Sequence, residues 1–211
     1  MNFLTNLLHF FQSGGIFMYP ILVAMALGIA IAIERYLFLS RAERENRAIW
    51  GALTDLVAKG ELEKAEKLAT SSESAIGRLF SGGLSRARSG GSRGDVEMAL
   101  EETLMLVMPM FEKRTHYLST LANIATLLGL LGTVIGMIDG FTAIAASNPA
   151  EKVSMLSAAI SVAMNCTAFG LIAAIPMLLL HSWLSTKGNE LVDSLEAASV
   201  RLLNSLSRSA G

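Results

Sequence analysis

The stretch from residue 118 to residue 183 decides the fold, because it contains two long apolar segments in succession. The first segment reads LSTLANIATLLGLLGTVIGMIDGFTAIA (118–145), and the second reads VSMLSAAISVAMNCTAFGLIAAIPMLLLHSW (153–183). A short polar turn containing Asn148 and Pro149 separates them. An α-helix needs about 20 apolar residues to cross a bilayer. The stretch therefore predicts a transmembrane helical hairpin.

The composition of the whole chain fits a membrane protein that also has a polar part. The chain has 211 residues, of which 52% are hydrophobic and 17% charged, and its mean hydropathy is +0.49. A net charge of -1 gives no electrostatic support for a nucleic-acid partner. Cys166 is the only cysteine and the three histidines are far apart, so neither a disulfide framework within the chain nor a metal site is expected. No cofactor is expected either.

A further apolar segment, residues 16–39, precedes the hairpin, whose two spans are predicted at 116–146 and 153–183 around a periplasmic turn at 147–152. Basic residues follow the first span, precede the second and follow the third. Because cytoplasmic flanks carry the positive charge, the N-terminus is predicted outside and the C-terminus inside. The basic residues are Arg35, Arg41, Arg44, Arg47, Lys113, Arg114 and Lys187.

The remaining segments are predicted to be helical as well. Residues 1–15 read as an amphipathic helix on the periplasmic membrane surface, and without Lys or Arg they do not suggest a cleaved signal peptide. Residues 40–115 are predicted to form a cytoplasmic helical domain, and residues 184–211 a cytoplasmic C-terminal helix. The expected fold class is an all-α membrane protein with three transmembrane helices, of which the second and third extend into a cytoplasmic helical bundle.

Within the predicted cytoplasmic domain, Gly60 is expected to end the first helix, and further helices are expected at 61–70 and 74–89. The glycine-rich loop at 89–94 is interpreted as a connector and not a phosphate cradle, because no strand precedes it and no Gly-Lys-Ser/Thr follows. Asp95 is predicted to be the N-cap of the next helix. That helix is expected to continue to about Ala146, with at most a kink at Pro109.

Helical geometry places Asn123, Thr126 and Thr133 on one stripe of the second span. This stripe fits a pore lining, and it fits hydrogen bonding between helices without transport equally well. On the third span, Thr167 lies opposite a stripe of serine and asparagine. One of these two faces is expected to pack, and the spacing does not decide which. On the second span, Gly129, Gly132, Gly136 and Gly140 are expected to serve helix packing.

Two polar residues of the hairpin, Asp139 and Asn165, are candidates for an ion relay. For Asp139 we favour a group at the membrane interface, since it lies about ten residues from the turn and off the threonine stripe. An ion-driven device usually needs a protonatable group within the membrane. If this chain conducts ions, a partner is therefore expected to supply the carboxylate.

Two motifs resemble the MotA/TolQ/ExbB proton-channel family. Residues 129–137, GLLGTVIGM, are similar to its GLxGTVxGM signature, and residues 165–176, NCTAFGLIAAIP, resemble its third-helix pattern. Three spans favour the ExbB/TolQ branch. At the position where many members carry a glutamate, five residues before Thr167, this chain has Val162. The resemblance implies a proton as the ion, and the departure at Val162 makes sodium the alternative.

The resemblance implies a non-enzymatic motor subunit in the bacterial inner membrane. It implies a homopentamer around a central pore that holds two copies of an ExbD/TolR-like subunit, each with one intramembrane Asp. Work would pass to a TonB- or TolA-like protein. The family's two pore threonines map onto Thr133 and Thr167, and Thr126 and Asn123 are expected to extend the lining. With Thr167 facing the pore, the opposite stripe of the third span, which includes Ser157 and Ser161, is expected to serve helix packing. The competing hypothesis is an oligomeric membrane scaffold that does not conduct.

Overall fold

The computed structural model describes residues 14–145 and 148–209, and the amphipathic helix predicted near the N-terminus lies outside this part apart from residues 14 and 15. The described residues form helices and connecting turns, with no strand among them. The helices are α1 (Met18–Ala58), α2 (Leu62–Ser71), α3 (Ala75–Arg88), α4 (Arg93–Glu112), α5 (Thr115–Ala145) and α6 (Lys152–Ser209).

The chain divides into two compact units. Of the described residues, the apolar unit combines 14–33 with those between Arg114 and Trp183, and the polar unit combines Glu34–Lys113 with 184–209. Three helical stretches are long and apolar enough to cross a membrane: Met18–Ala58, Arg93–Ala145 and Lys152–Leu206. This confirms the all-helical class for the described residues and gives three candidate membrane-spanning helices.

Small residues fill the core of the apolar unit. Ala122 and Ala125 of α5 pack with Cys166 and Ala173 of α6 and with Ile21 of α1, and all of them are buried. Many of the large apolar side chains point outward, among them Leu127, Ile138 and Leu179. This arrangement, with large apolar side chains outside and small ones inside, is the one that lipid favours. In lipid, helices associate through close packing, because the hydrophobic effect does not drive them together.

The polar unit has an ordinary hydrophobic core. Phe80 of α3 is buried and lies edge-on against Trp50 of α1, with ring centroids 5.9 Å apart. α1 ends where Gly60 adopts a φ of 74°, as the sequence predicted. The Ser74 side chain caps α3 by accepting from the Gly77 backbone N–H at 3.0 Å.

Two predicted boundaries are wrong. The helix after the glycine-rich loop begins at Arg93, and its N-cap is Ser92, not Asp95. Asp95 stands at the third helical position, where its carboxylate accepts from the Ser92 backbone N–H at 2.8 Å while Ser92 Oγ accepts from the Asp95 N–H at 3.3 Å. In this reciprocal capping box, each of the two side chains accepts from the backbone N–H of the other residue, which stabilises the first turn of α4.

The second wrong boundary is the single helix expected from Asp95 to Ala146. Pro109 lies inside α4, which continues past it to Glu112. The break comes instead at Arg114, whose φ of 68° is one that few residues other than glycine adopt. α5 then begins at Thr115. By contrast α1 has no break near residue 39, so its helix continues through the predicted end of the first span.

Candidate functional site

A pair of threonine hydroxyls joins α5 to α6 in the middle of the apolar hairpin. Thr167 Oγ1 donates to the Gly129 carbonyl oxygen at 2.9 Å. Thr133 Oγ1 lies 3.2 Å from the same carbonyl and 3.3 Å from that of Ala163. The two hydroxyls also contact each other. Both side chains are half-buried, so the pair sits at the edge of the helix contact and not within a closed core.

Glycines allow the two helices to approach closely enough for this pair to form. A Cβ added at Gly170 would lie 2.8 Å from the Ala125 carbonyl oxygen and 3.1 Å from the Gly129 Cα. A Cβ at Gly129 would lie 3.2 Å from the Thr167 Cα. Backbone therefore packs directly on backbone beside the threonines, which is the arrangement that small residues permit in membrane helices.

The same contact continues toward the turn. Gly132 faces Cys166, Gly136 faces Ala163 and Gly140 faces Ala159. The residues that meet these glycines on α6 are small, and they lie on a different side of α6 from the predicted serine stripe. Ser157 and Ser161 are themselves exposed in the single chain.

The hydrogen-bonding capacity of the threonine pair exceeds what its own contacts use. Each hydroxyl has one proton to donate and two lone pairs to accept with. With Thr167 donating to Gly129, Thr133 can donate to only one of its three oxygen neighbours. Lone pairs on the hydroxyls and on the Ala163 carbonyl oxygen then remain for a water molecule or a protonated carboxyl group. The pair can thus hold a proton donor, or turn a hydroxyl toward an anion.

Thr126, Asn123 and Asp139 are not hydrogen-bonded to this pair. Thr126 and Asn123 are exposed on α5, and Thr126 Oγ1 donates within its own helix to the Ala122 carbonyl at 3.1 Å. Asp139 is exposed, about 9 Å farther along α5 from Thr133 at 1.5 Å per residue. Asn165 is half-buried. Among the described residues, no group of three His, Cys, Asp or Glu side chains is arranged to hold a metal ion.

The structural role of Arg35 was not predicted from the sequence. The sequence presents it as one of the basic residues after the first span, but only 3% of its surface is exposed. Its Nη2 donates to the carbonyl oxygens of Met110 and Phe111, each at 2.9 Å, and its guanidinium lies 4.6 Å from the centre of the Phe38 ring. The signal that could have found it is its position inside the apolar segment 16–39, two residues after Ile33 and before Leu37 and Phe38.

Together these features define a class: a multi-pass helical membrane protein with a glycine-packed hairpin that carries a hydroxyl pair. Residues 71–197, more than half of the chain, match the MotA/TolQ/ExbB proton channel family. The chain belongs to this family. The match includes both motifs that suggested it, and with them Thr133 and Thr167.

Individual relatives agree. An ExbB homologue by name, from Methanothermobacter thermautotrophicus, is 28% identical over 197 residues, which cover 93% of this chain and 69% of that protein. An ExbB-like biopolymer transport protein of Synechocystis sp. is 30% identical over 170 residues, covering 80% of each chain. The Tol-Pal system protein TolQ of Haemophilus influenzae is 36% identical over 78 residues, covering 37% of this chain and 34% of that protein.

Proposed function

We propose that this protein is the ring subunit of an ion-driven motor in the bacterial inner membrane. The observation that carries the proposal is the Thr133–Thr167 hydroxyl pair, which stands at the family's two motifs and keeps unused hydrogen-bonding capacity. The names of the relatives, biopolymer transport protein and Tol-Pal system protein, suggest the kind of process that the motor energises.

In this proposal the N-terminus lies outside, and the polar unit and C-terminus lie in the cytoplasm. The ring is a pentamer, and two copies of an ExbD/TolR-like subunit occupy its pore. Each copy has one transmembrane helix with an intramembrane Asp, and a TonB- or TolA-like protein receives the work. The basic residues that flank the spans support this orientation.

The threonine pair acts by changing the surroundings of the partner's carboxyl group. A protonated Asp donates to one of the hydroxyl lone pairs, and neutralisation lets it face a low-dielectric wall. When the Asp ionises, a threonine hydroxyl rotates to donate to it, and the charge favours the polar position. Alternation of these two states gives the mechanical step. Proton is the proposed ion, with sodium as the alternative because of Val162.

The other residues have secondary parts. Thr126 and Asn123 extend the polar lining along α5. Gly129 and its neighbouring glycines hold the hairpin together, and the exposed Ser157 and Ser161 are available to a helix of a neighbouring subunit. Asp139 stays at the membrane interface, outside the main ion pathway.

Replacing either threonine by valine tests the pathway. Valine keeps the shape of threonine but removes the hydroxyl, so Thr133→Val and Thr167→Val should each lower partner-dependent activity about 100-fold, which is the effect of losing one well-placed hydrogen-bonding group. The measurement is proton uptake into vesicles that contain the ring and its partner. Serine at either position should keep most of the activity.

Thr120→Val is the matched control. Thr120 is an exposed threonine of the same helix that donates to the His116 carbonyl, and its replacement should leave proton uptake and ring assembly unchanged. Full activity in both Thr133→Val and Thr167→Val would remove the pore assignment. An assembled oligomer that consumes no gradient would favour the non-conducting scaffold.

A separate substitution tests whether Asp139 lies on the ion pathway. Because Asp139 lies away from the threonine pair, Asp139→Asn should lower proton uptake less than threefold, a change smaller than about 1 kcal/mol in the barrier. Complete loss of uptake in an assembled ring would instead place Asp139 on the ion pathway.

A further inference from the structure

An exposed apolar stripe edged by carboxylates runs along α4. Met98, Met105 and Leu106 expose 69%, 71% and 71% of their surface. Met98, Glu102 and Met105 point within about 60° of one another at 100° per residue, and Glu101 lies beside them. A soluble surface rarely exposes so many large apolar side chains in one place unless a partner covers them.

A groove of about 360 Å³ lies between α1 and α6 in the same unit. Trp50, Ile76 and Leu191 are among its apolar lining, and Arg47 and Arg201 among its charged lining. Two contacts fix the position of lining residues. The Ile76 N–H donates to Asn46 Oδ1 at 3.1 Å, and the Trp50 ring lies edge-on against Phe80.

The charges along the groove are not evenly distributed. Glu43, Lys187 and Glu190 lie toward one end, where Glu43 pairs with Lys187 at 3.2 Å and with Arg47 at 3.5 Å. Arg201 lies toward the other end, with its guanidinium 5.8 Å from the centre of the Trp50 ring. The Arg201 end therefore offers a positive charge beside an apolar surface, which suits a helix with both methionine and glutamate on one face.

Contacts inside the polar unit show that the stripe and the groove lie at the same level along the helix axes, which we call their height. A Cβ at Gly188 of α6 would lie 3.3 Å from the Phe111 carbonyl oxygen of α4, and Gly83 faces both Leu100 and Leu202. α4 and α6 therefore run in opposite directions with these residues paired. Met105 falls at the height of Ser194–Ala197, and Glu101 and Glu102 fall at the height of Ala197–Arg201.

We propose that the α4 stripe of one copy docks into the α1–α6 groove of the next copy in the ring. This rests on the ring of the proposed function. A rotation about an axis along the helices preserves height, so only groups at matching heights can meet. Stripe and groove are different surfaces, and a contact between different surfaces of identical chains is head-to-tail, which is the kind that closes into rings. Methionines adapt to such a groove, and Glu101 and Glu102 would pair with Arg201.

Engineered cysteines test the contact in the full-length protein in its native membrane. Cys166, the only cysteine of the chain, is buried, so it gives little background. The pair Met105→Cys with Ser194→Cys should form a ladder of disulfide-linked multimers on oxidation. The matched control is Met105→Cys with Glu196→Cys, since Glu196 is exposed on α6 but does not line the groove. The control should give at least tenfold less cross-linked product.

Charge reversal gives a second measurement. Glu101→Arg together with Glu102→Arg should lower the yield of the Met105–Ser194 cross-link about tenfold, since like charges across a contact are repelled. Adding Arg201→Glu should restore most of it. Dimers from Met105→Cys alone would overturn the proposal in favour of a symmetric contact. A protein that is oligomeric by native mass but forms no ladder would overturn it and leave the ring intact, whereas a monomer would overturn both.

Discussion

At the scale of single residues, the threonine pair depends on Gly170, a neighbouring residue without a side chain. Gly170 lets the α5 backbone come close enough for Thr167 to reach both Gly129 and Thr133. The polar chemistry of the hairpin is therefore set by the smallest residue beside it.

Gly170→Ala should destabilise the protein and lower its activity together. The added methyl group would lie 2.8 Å from a carbonyl oxygen and 3.1 Å from a Cα, and neither can rotate away. Such overpacking costs about 1–3 kcal/mol. Thermal unfolding in detergent, followed by circular dichroism, measures the loss, and the proton-uptake assay measures the effect on the threonine pair.

Gly51→Ala is the control for this substitution. Gly51 lies inside α1 with no atom within 4 Å of the added Cβ, so alanine should stabilise its helix by about 0.5–1 kcal/mol. If the Gly170→Ala protein were as stable as this control, α5 and α6 could separate to accommodate the methyl group without loss of stability.

The sequence alone places Thr133 and Thr167 at similar depth, because they stand 16 and 18 residues from Pro149 in the turn of an antiparallel hairpin. It could not predict that both hydroxyls approach one carbonyl, that of Gly129. That contact depends on which faces of the two helices meet, and helical periodicity alone left two faces of the third span open.

At the scale of helices, the break between α4 and α5 has a tertiary cause. In a continuous helix the carbonyls of Met110 and Phe111 would accept from the N–H groups four residues later. The break removes these donors, and Arg35 of α1 supplies two N–H groups in their place. Its positive charge also suits the C-terminus of a helix. The break could not be predicted locally, because the residue that stabilises it lies about 75 positions away.

Arg35→Gln should therefore destabilise the polar unit. A buried carbonyl left without a donor costs about 1–3 kcal/mol, and two carbonyls are affected. Chemical denaturation of the detergent-solubilised protein measures the change. Arg44→Gln, at an exposed arginine of the same helix, should change stability by less than about 0.5 kcal/mol. Equal stability of the two variants would contradict the capping role of Arg35.

The start of α4 should respond to pH. The Ser92 hydroxyl and backbone N–H, together with Arg86, lower the pKa of Asp95 below its usual value. A carboxylate whose pKa is lowered by folding stabilises the protein above its unfolded pKa, about 3.9, and that contribution is lost as the pH falls through its folded pKa.

Asp95→Asn should accordingly lower the melting temperature near neutral pH, and the difference from the wild type should shrink below about pH 4. Thermal unfolding between pH 3 and 7 measures this, with the exposed Glu97→Gln as control. A difference that stays constant with pH would show that the Asp95 charge is not what matters. The sequence predicted a cap here but placed it on Asp95, since both serine and aspartate are good N-caps and only the reciprocal hydrogen bonds identify Ser92.

At the scale of the whole molecule, the chain keeps its charges and its hydroxyl pair apart. Several exposed ion pairs lie in the polar unit, as between Arg41 and Glu45 or between Lys67 and Glu63. In the apolar unit the threonine pair contacts hydroxyls and carbonyls. Asp139, the carboxylate in α5, is two turns away and exposed. The family is one of proton channels, and a carboxyl group is the usual intramembrane proton carrier.

The purified protein without a partner should therefore pass protons no faster than empty vesicles do. Purified protein would be reconstituted with an internal pH dye, and a potassium gradient with valinomycin would provide the driving force. Adding a single-span partner with an intramembrane Asp should raise proton uptake, and Asn in place of that Asp should return it to background. Measuring sodium uptake under the same driving force would show whether sodium, the alternative suggested by Val162, is carried in place of protons. Rapid uptake by the ring without any partner would mean that this chain supplies the carboxyl group itself, with Asp139 as the residue to test first.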